Sequence, residues 1–252
     1  MEKSNKTAIA LAWNFFKGNY ALNFAVIAIL ILLNLLGMIP IVGMLFILAY
    51  SILSLSVQIY FGRGVDKVQR PEDMAEFAAR SKIGEVLSSY LHVATGAFLA
   101  LFAISLVFMA LFGMAVEMSG GMEAMHNGVA VQAQMEAVLI KSGIVGAIFL
   151  LIAAFLFYFF PAVMGKVIRS DTFIDGFKNI FLLFSPALWK ACFNKEYFIL
   201  VLIWSLILMG IGIVMILFSA TIILLPVVLV IAYLLSLYNA AIYVFAADLA
   251  KE

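Results

Sequence analysis

Charged side chains divide this sequence into long apolar intervals. None occurs in the 45 residues between Lys17 and Arg63, the 31 between Glu85 and Glu117, the 24 between Lys141 and Lys166, or the 51 between Glu196 and Asp248. A transmembrane helix takes about 20 residues, and a Lys, Arg or Asp at its centre costs roughly 2.5 to 3.5 kcal/mol on the insertion scale. The first and last intervals therefore hold two spans each, and both contain turn residues, Gly37 to Pro40 in "GMIP" and Ser219 to Thr221 in "SAT". The pattern predicts six helices near Tyr20–Met38, Val42–Phe61, Ala94–Ala115, Ser142–Val163, Tyr197–Phe218 and Ile222–Phe245. The expected fold class is all-α: a polytopic membrane protein, with residues 1–252 forming a single integral membrane domain.

Between these intervals lie shorter segments with a helical period. After the fourth span, "DTFIDGFKNIFLLF" places Phe173, Ile174, Phe177, Ile180, Phe181 and Phe184 at 3-and-4 spacing. Thr172 and Asp175 form a T-x-x-D helix start, with a hydroxyl to cap free amides and a carboxylate at the positive end of the dipole. Ser185-Pro186 then stops that helix and starts another, which carries Trp189 and Phe193. The segment is too short and too charged to cross, so it is expected to lie in the plane of the interface. Its apolar face sinks beneath the headgroups, or packs on the protein's own spans, and both outcomes fit the pattern. "TAIALAWNFFKGNY" repeats the arrangement before the first span with Ile9, Trp13 and Phe16 on one side, and Phe16 and Tyr20 match Phe193 and Tyr197. A weaker version opens at Pro71, Glu72 and Asp73 and carries Met74, Phe77 and Ala78. The chain thus reads as three transmembrane hairpins, each preceded by a cytoplasmic in-plane amphipathic helix. All three share one orientation, unlike the inverted repeats of many secondary transporters.

Orientation follows from the basic residues, because Lys and Arg near span ends are retained in the cytoplasm. With six spans, fourteen of the 15 basic residues fall on the side of both termini and only Lys141 falls opposite. Both termini are therefore expected in the cytoplasm, with the chain in a bacterial cytoplasmic (inner) membrane.

Composition agrees with the membrane class: 66% of residues are hydrophobic and 12% charged, with a mean hydropathy of +1.18. A net charge of +1 gives no reason to expect nucleic acid as a partner. The lone Cys192 forms no internal disulfide. No short apolar stretch with a small-residue cleavage site precedes the first span, which is expected to stay in the mature protein.

Candidate chemistry is sparse. The span interiors lack Asp, Glu, Lys and Arg, and the chain has no H-E-x-x-H, G-x-S-x-G or P-loop signature. His92, in "SSYLHVATG", reads as a hydrogen-bonded interfacial histidine, and Arg63, flanked by glycines in "FGRGVD", as a helix stop. Catalytic residues and cofactors are therefore not expected. Mild polarity recurs on helix faces: Ser51, Ser54 and Gln58 in the second span, Ser236, Asn239 and Tyr243 in the sixth, and Asn34 in the first. These groups either hydrogen-bond between helices or line a weakly polar cavity in the cytoplasmic half, open to the cytoplasm. Met118, Met122, Met125 and His126 in "MSGGMEAMH" bring together thioether and imidazole groups of the kind that suit Cu(I). The alternative there is an interfacial segment that happens to hold methionine, with a short surface helix over 122–140.

On "AWNFFKGNY" before the first span, the Arg-Gly pair in "YFGRGVDK" after the second and "DTFIDGFKNIFLLF" after the fourth, the chain resembles a group of bacterial six-helix inner-membrane proteins. The group includes the YciC-like proteins and the membrane domain fused to some glycerophosphodiester phosphodiesterases. The resemblance implies a membrane domain for which the family defines no reaction. No polar segment here is long enough for the soluble phosphodiesterase domain, so its catalysis is not carried over.

The expected function is accordingly a non-catalytic one, in lipid association or in membrane assembly and envelope maintenance. Expected partners are membrane lipids, anionic ones above all, and other membrane proteins. Trp13, Phe16, Phe177, Phe181 and Trp189 would insert, and Arg169, Lys178, Lys190 and Lys195 would meet headgroups. A transporter of a small neutral or amphiphilic solute is the alternative, and extracytoplasmic Cu(I) binding a minor one. The charge split makes topology testable by single cysteines placed at Asn127 and Gln69 in a Cys192-free background. A membrane-impermeant maleimide applied to intact cells should label position 127 and leave 69 unlabelled. Labelling at 69 alone reverses the orientation, and labelling at both breaks the span count.

Overall fold

The computed structural model describes the backbone of residues 1–118, 132–219 and 224–250, and side chains over 1–115, 117, 143–219, 224 and 226–250. The described residues are largely helical and form no strand. In chain order the helices are α1 (Asn5–Gly18), α2 (Tyr20–Leu36), α3 (Gly43–Val65), α4 (Asp73–Arg80), α5 (Ile83–Ser88), α6 (Leu91–Met118), α7 (Gln132–Ile168), α8 (Phe173–Ile180), a 3₁₀ turn (Phe181–Phe184), α9 (Pro186–Cys192), α10 (Lys195–Ser219) and α11 (Leu225–Leu249).

Five stretches are long and apolar enough to cross a membrane: Gly43–Val65, Ile83–Ala115, Gly143–Ile168, Lys195–Ser219 and Pro226–Leu249. The count reaches six if α1 and α2, which meet at 98°, are taken together as one broken span. At 17 residues, α2 is shorter than the expected 20–38 helix. It rises only about 25 Å at 1.5 Å per residue, because the chain leaves the helix at Gly37 and turns through Pro40 into α3. α7 is longer than expected and holds Pro161 within it. Residues 132–140, expected in a separate surface helix, belong to α7. The turn expected at Ser219–Thr221 has only Ser219 among the described residues, as the last residue of α10.

The chain divides into two compact units, Met1–Phe98 with Phe159–Glu252, and Leu99–Tyr158. In the smaller unit α6 and α7 lie side by side, and Phe149 meets Phe108 and Phe112 edge-on at centroid distances of 6.1 and 5.1 Å. Most of its large apolar side chains, such as Leu150 and Leu151, face outward, as lipid-facing residues do.

The larger unit is organised around α11. Half of its apolar window is buried, against 6% to 22% in the other four spans. α1, α3 and α10 all pack on it. Small residues let neighbours approach: a Cβ at Gly165 of α7 would collide with the carbonyl oxygen of Tyr243 in α11, and one at Gly96 of α6 with that of Phe173 in α8.

The bend between α1 and α2 is held by asparagines. Asn19 Oδ1 accepts from the Leu22 amide at 3.0 Å and caps α2, while its Nδ2 reaches the Ala78 carbonyl at the end of α4. The fully buried Asn23 donates to the carbonyls of Phe15, Phe16 and Asn19, and accepts from the Tyr233 hydroxyl at 2.7 Å. The Phe15 and Phe16 carbonyls are among the groups that α1 leaves unpaired when it stops, and that of Asn19 also accepts the Asn23 backbone amide at 3.1 Å. The start of α10 repeats the device: Asn194 caps it through the Tyr197 amide at 2.9 Å and reaches the Leu249 carbonyl at 3.0 Å. The shared corner residue, Asn19 or Asn194, lies two residues out of register with the Phe16/Tyr20 and Phe193/Tyr197 match. Overpacking a close helix crossing costs about 1 to 3 kcal/mol. Gly165→Leu should therefore lower the unfolding midpoint of the detergent-solubilised protein in a thermal size-exclusion assay, whereas Gly146→Leu, with nothing within 4 Å of its Cβ position, should leave it unchanged.

Candidate functional site

Where α3, α7 and α11 end, charged residues from distant parts of the chain meet. Arg169, just past α7, grips Asp66 with two parallel hydrogen bonds, Nε to Oδ2 at 2.9 Å and Nη2 to Oδ1 at 2.6 Å. Its Nη1 lies 3.1 Å from Asp248 of α11, and Lys3 lies 3.2 Å from the other oxygen of that carboxylate. The Asp66 hydrogen bonds hold the guanidinium's pKa well above its ordinary range, outweighing the opposing effect of burial. Beside this group, Arg63 donates to the Ser170 carbonyl at 2.6 Å and to Asp171 at 2.7 Å, and lies 5.4 Å from the centre of the Tyr90 ring. His92 Nε2 sits 3.0 Å from the Asp171 carbonyl oxygen. Arg63 thus does more than stop a helix, since it ties α3 to the segment that opens α8. No nucleophile is lined up with a base in this group. Its members neutralise one another, so its chemistry is that of a clasp.

The segment that leaves this clasp carries most of the expected interface residues. Thr172 caps α8 by accepting from the Asp175 amide at 3.1 Å, and Ser185 caps α9 with Pro186 in its first turn. The expected single stripe is split, because the chain tightens into a 3₁₀ turn at Phe181 and so rotates successive side chains by more than an α-helix would. Ile180, Leu183, Leu188 and Cys192 are buried, whereas Phe173, Ile174, Phe181, Phe184 and Phe193 are 40% to 67% exposed. Phe177 is half-buried and leans on Phe181 at 5.3 Å. Trp189, also half-buried, donates its indole N–H to the Leu183 carbonyl at 2.8 Å and lies 5.9 Å from Phe159. Lys178, Lys190 and Lys195 are exposed, and none has an acidic group within 4.0 Å among the described residues. Arg169, grouped with them by sequence, has its charge committed to the two aspartates. In α1, Trp13 and Ile9 are half-exposed, while Phe16 turns inward and is buried. α4 spends its apolar face, Met74 and Ala78, on the protein interior beside α1.

The polar residues of the spans separate into two groups. Asn34, Ser54 and Ser236 line one cavity between α2, α3 and α11. Asn239 instead accepts from the Trp204 indole at 2.8 Å, and Tyr243 packs edge-on against Phe160 and Trp204. Ser51 bonds back to the Ile47 carbonyl, and Gln58 is half-buried outside the cavity. In the methionine segment, Met122, Met125 and His126 lie outside the described residues, as does the side chain of Met118 at the end of α6.

Comparison with protein-family models, with characterised proteins and with solved structures finds no match to this chain.

Cys192 gives the clasp and its flanking helices a chemical probe. Burial pushes its thiol up to about 11, whereas an unfolded thiol ionises near 8.5. The neutral thiol therefore contributes its full stability below about pH 8.5, and that contribution is lost as pH rises through about 11. Iodoacetamide at pH 8 should modify Cys192 at least roughly tenfold more slowly in the folded protein than in sodium dodecyl sulfate. Equal rates would mean that α9 does not bury this residue.

Proposed function

We propose that this chain is a non-catalytic, multipass membrane protein that gathers anionic lipid at the cytoplasmic face of a bacterial inner membrane, with three hairpins entering from that face. One observation carries the reading. Phe173, Ile174, Phe181, Phe184 and Phe193 stand exposed on one short segment, and Lys178, Lys190 and Lys195 stand exposed among them. Water is a poor solvent for such a face, and the headgroup region of a bilayer suits both of its components. Each basic residue near an anionic surface contributes on the order of 1 kcal/mol. The ends of α3, α7 and α11 meet at one clasp, as hairpins entering from a common side require. Envelope maintenance or membrane assembly fits a protein whose contacts are with lipid and with neighbouring membrane proteins.

The test is lipid retention. Protein reconstituted in phosphatidylglycerol and phosphatidylethanolamine, then extracted gently, should carry phosphatidylglycerol above its bulk share. Lys178→Gln, Lys190→Gln and Lys195→Gln combined should cut that excess by at least roughly fivefold, given about 1 kcal/mol for each lysine. Lys67→Gln, placed off this segment, should leave it intact. Retention unchanged in the triple variant, or release of free fatty acid or headgroup during incubation, overturns the proposal.

A further inference from the structure

Within the larger unit, α2, α3 and α11 enclose a cavity of about 290 Å³. That is roughly ten times the volume of one water molecule in the liquid. Its polar lining is Asn34, Tyr50, Ser54, Ser236 and Tyr233, whose hydroxyl is given to Asn23, and residues such as Ile31 and Leu229 supply the apolar remainder. Ser236 donates to the Tyr233 carbonyl at 2.7 Å. Among the described residues, no hydrogen bond reaches the side chains of Asn34, Tyr50 or Ser54. The wall therefore presents an amide, with two donors and an acceptor, and two hydroxyls, all without protein partners.

Depth gives these groups their meaning. Asn34 lies in the last turn of α2, near the edge of the hydrocarbon. Tyr50 and Ser54 lie roughly 10 and 16 Å along α3 from its start at Gly43, and Ser236 about 16 Å along α11. The polar groups thus run from the edge of the bilayer on the Gly37–Pro40 side to near its middle. Acyl chains offer no hydrogen bond there, so polar groups facing only hydrocarbon are disfavoured. No charged residue lines the cavity, so a carboxylate or an ammonium would find no counter-ion. Asn34 is exposed at the rim together with Leu35 and Met38, which leaves an entrance from the side of the bundle.

We propose that this cavity is a binding site for a neutral amphiphile, a single hydrocarbon chain bearing a hydroxyl or carbonyl group. Its polar group takes its hydrogen bonds from the row of Asn34, Tyr50 and Ser54, and its chain lies along Ile31 and Leu229. The site is separate from the lysine-bearing interface segment, and neither depends on the other.

The experiment uses the full chain in phosphatidylcholine nanodiscs with three diazirine probes of equal length: a long-chain alcohol, the corresponding alkane and the corresponding fatty acid. After irradiation and peptide mapping, the alcohol should label residues 27–38 and 229–236 at least fivefold more than either of the others. Asn34→Leu with Ser54→Ala should reduce alcohol labelling to the alkane level, while Asn34→Gln keeps most of it. Circular dichroism and the unfolding midpoint of each variant show that the helices are intact. The triple lysine variant should label as the parent does, so failure here is distinct from failure at the interface segment. Equal labelling by alcohol and alkane, preferential labelling by the fatty acid, or full labelling of the Asn34→Leu, Ser54→Ala protein overturns the proposal.

Discussion

The guanidinium of Arg169, gripped by Asp66 on one side and Asp248 on the other, fixes the ends of three long helices relative to one another. A planar fork suits this task better than an ammonium, because two parallel bonds to one carboxylate set direction as well as distance. The charge also sits just past the C-terminus of α7, where the helix dipole favours a cation. The neighbouring parts follow from this point. Lys3 brings the N-terminal segment to Asp248 and so places α1. Arg63, bonded to Ser170 and Asp171, sets where the chain leaves α7, and thereby the direction in which α8 starts. Removing either aspartate would leave a partly buried cation short of a partner, which costs more than the pair contributes when intact.

The three short amphipathic elements share a position in the chain, each ahead of a long apolar helix, but differ in what their apolar faces do. α4 gives its face to the protein, packing Met74 and Ala78 inward beside α1. α1 divides its own, with Phe15 and Phe16 inside and Ile9 and Trp13 outside. The α8 to α9 segment, reshaped by the 3₁₀ turn, keeps an inner row for packing and an outer row of phenylalanines. There, exposed aromatic residues and lysines without an acidic partner among the described residues lie together. A segment with two apolar sides can anchor to the bundle and still offer a face to lipid, which a single stripe cannot do.

Five long apolar helices were legible in the sequence because the cost of burying charge marks their limits with Lys, Arg, Asp and Glu. The caps at Thr172 and Ser185 were legible because each acts within three residues of itself. The clasp was not, since its partners lie about 100 residues apart: Arg63 read alone is a helix stop, and Arg169 read alone is one more basic residue near lipid. The inward turn of Phe16 also escaped a helical-wheel reading, because periodicity shows which residues share a face and not what that face meets. Of the polar residues at 3-and-4 spacing, Asn34, Ser54 and Ser236 came together, but Asn239 was drawn away by Trp204, a partner on another helix that spacing along α11 does not reveal.

The corner between α1 and α2 carries a mechanical consequence. Asn23 bonds the Phe15 and Phe16 carbonyls in the last turn of α1 and that of Asn19, and Asn19 caps the start of α2, so side chains of the protein itself hold the bend. Straightening it would strip those bonds and expose Asn23 in hydrocarbon. A change in bilayer thickness is therefore met by the lipid, which must thin or thicken around a short second helix, and not by the protein unfolding its elbow. Where α2 stands in a bilayer, the lipid beside it must match a rise of about 25 Å.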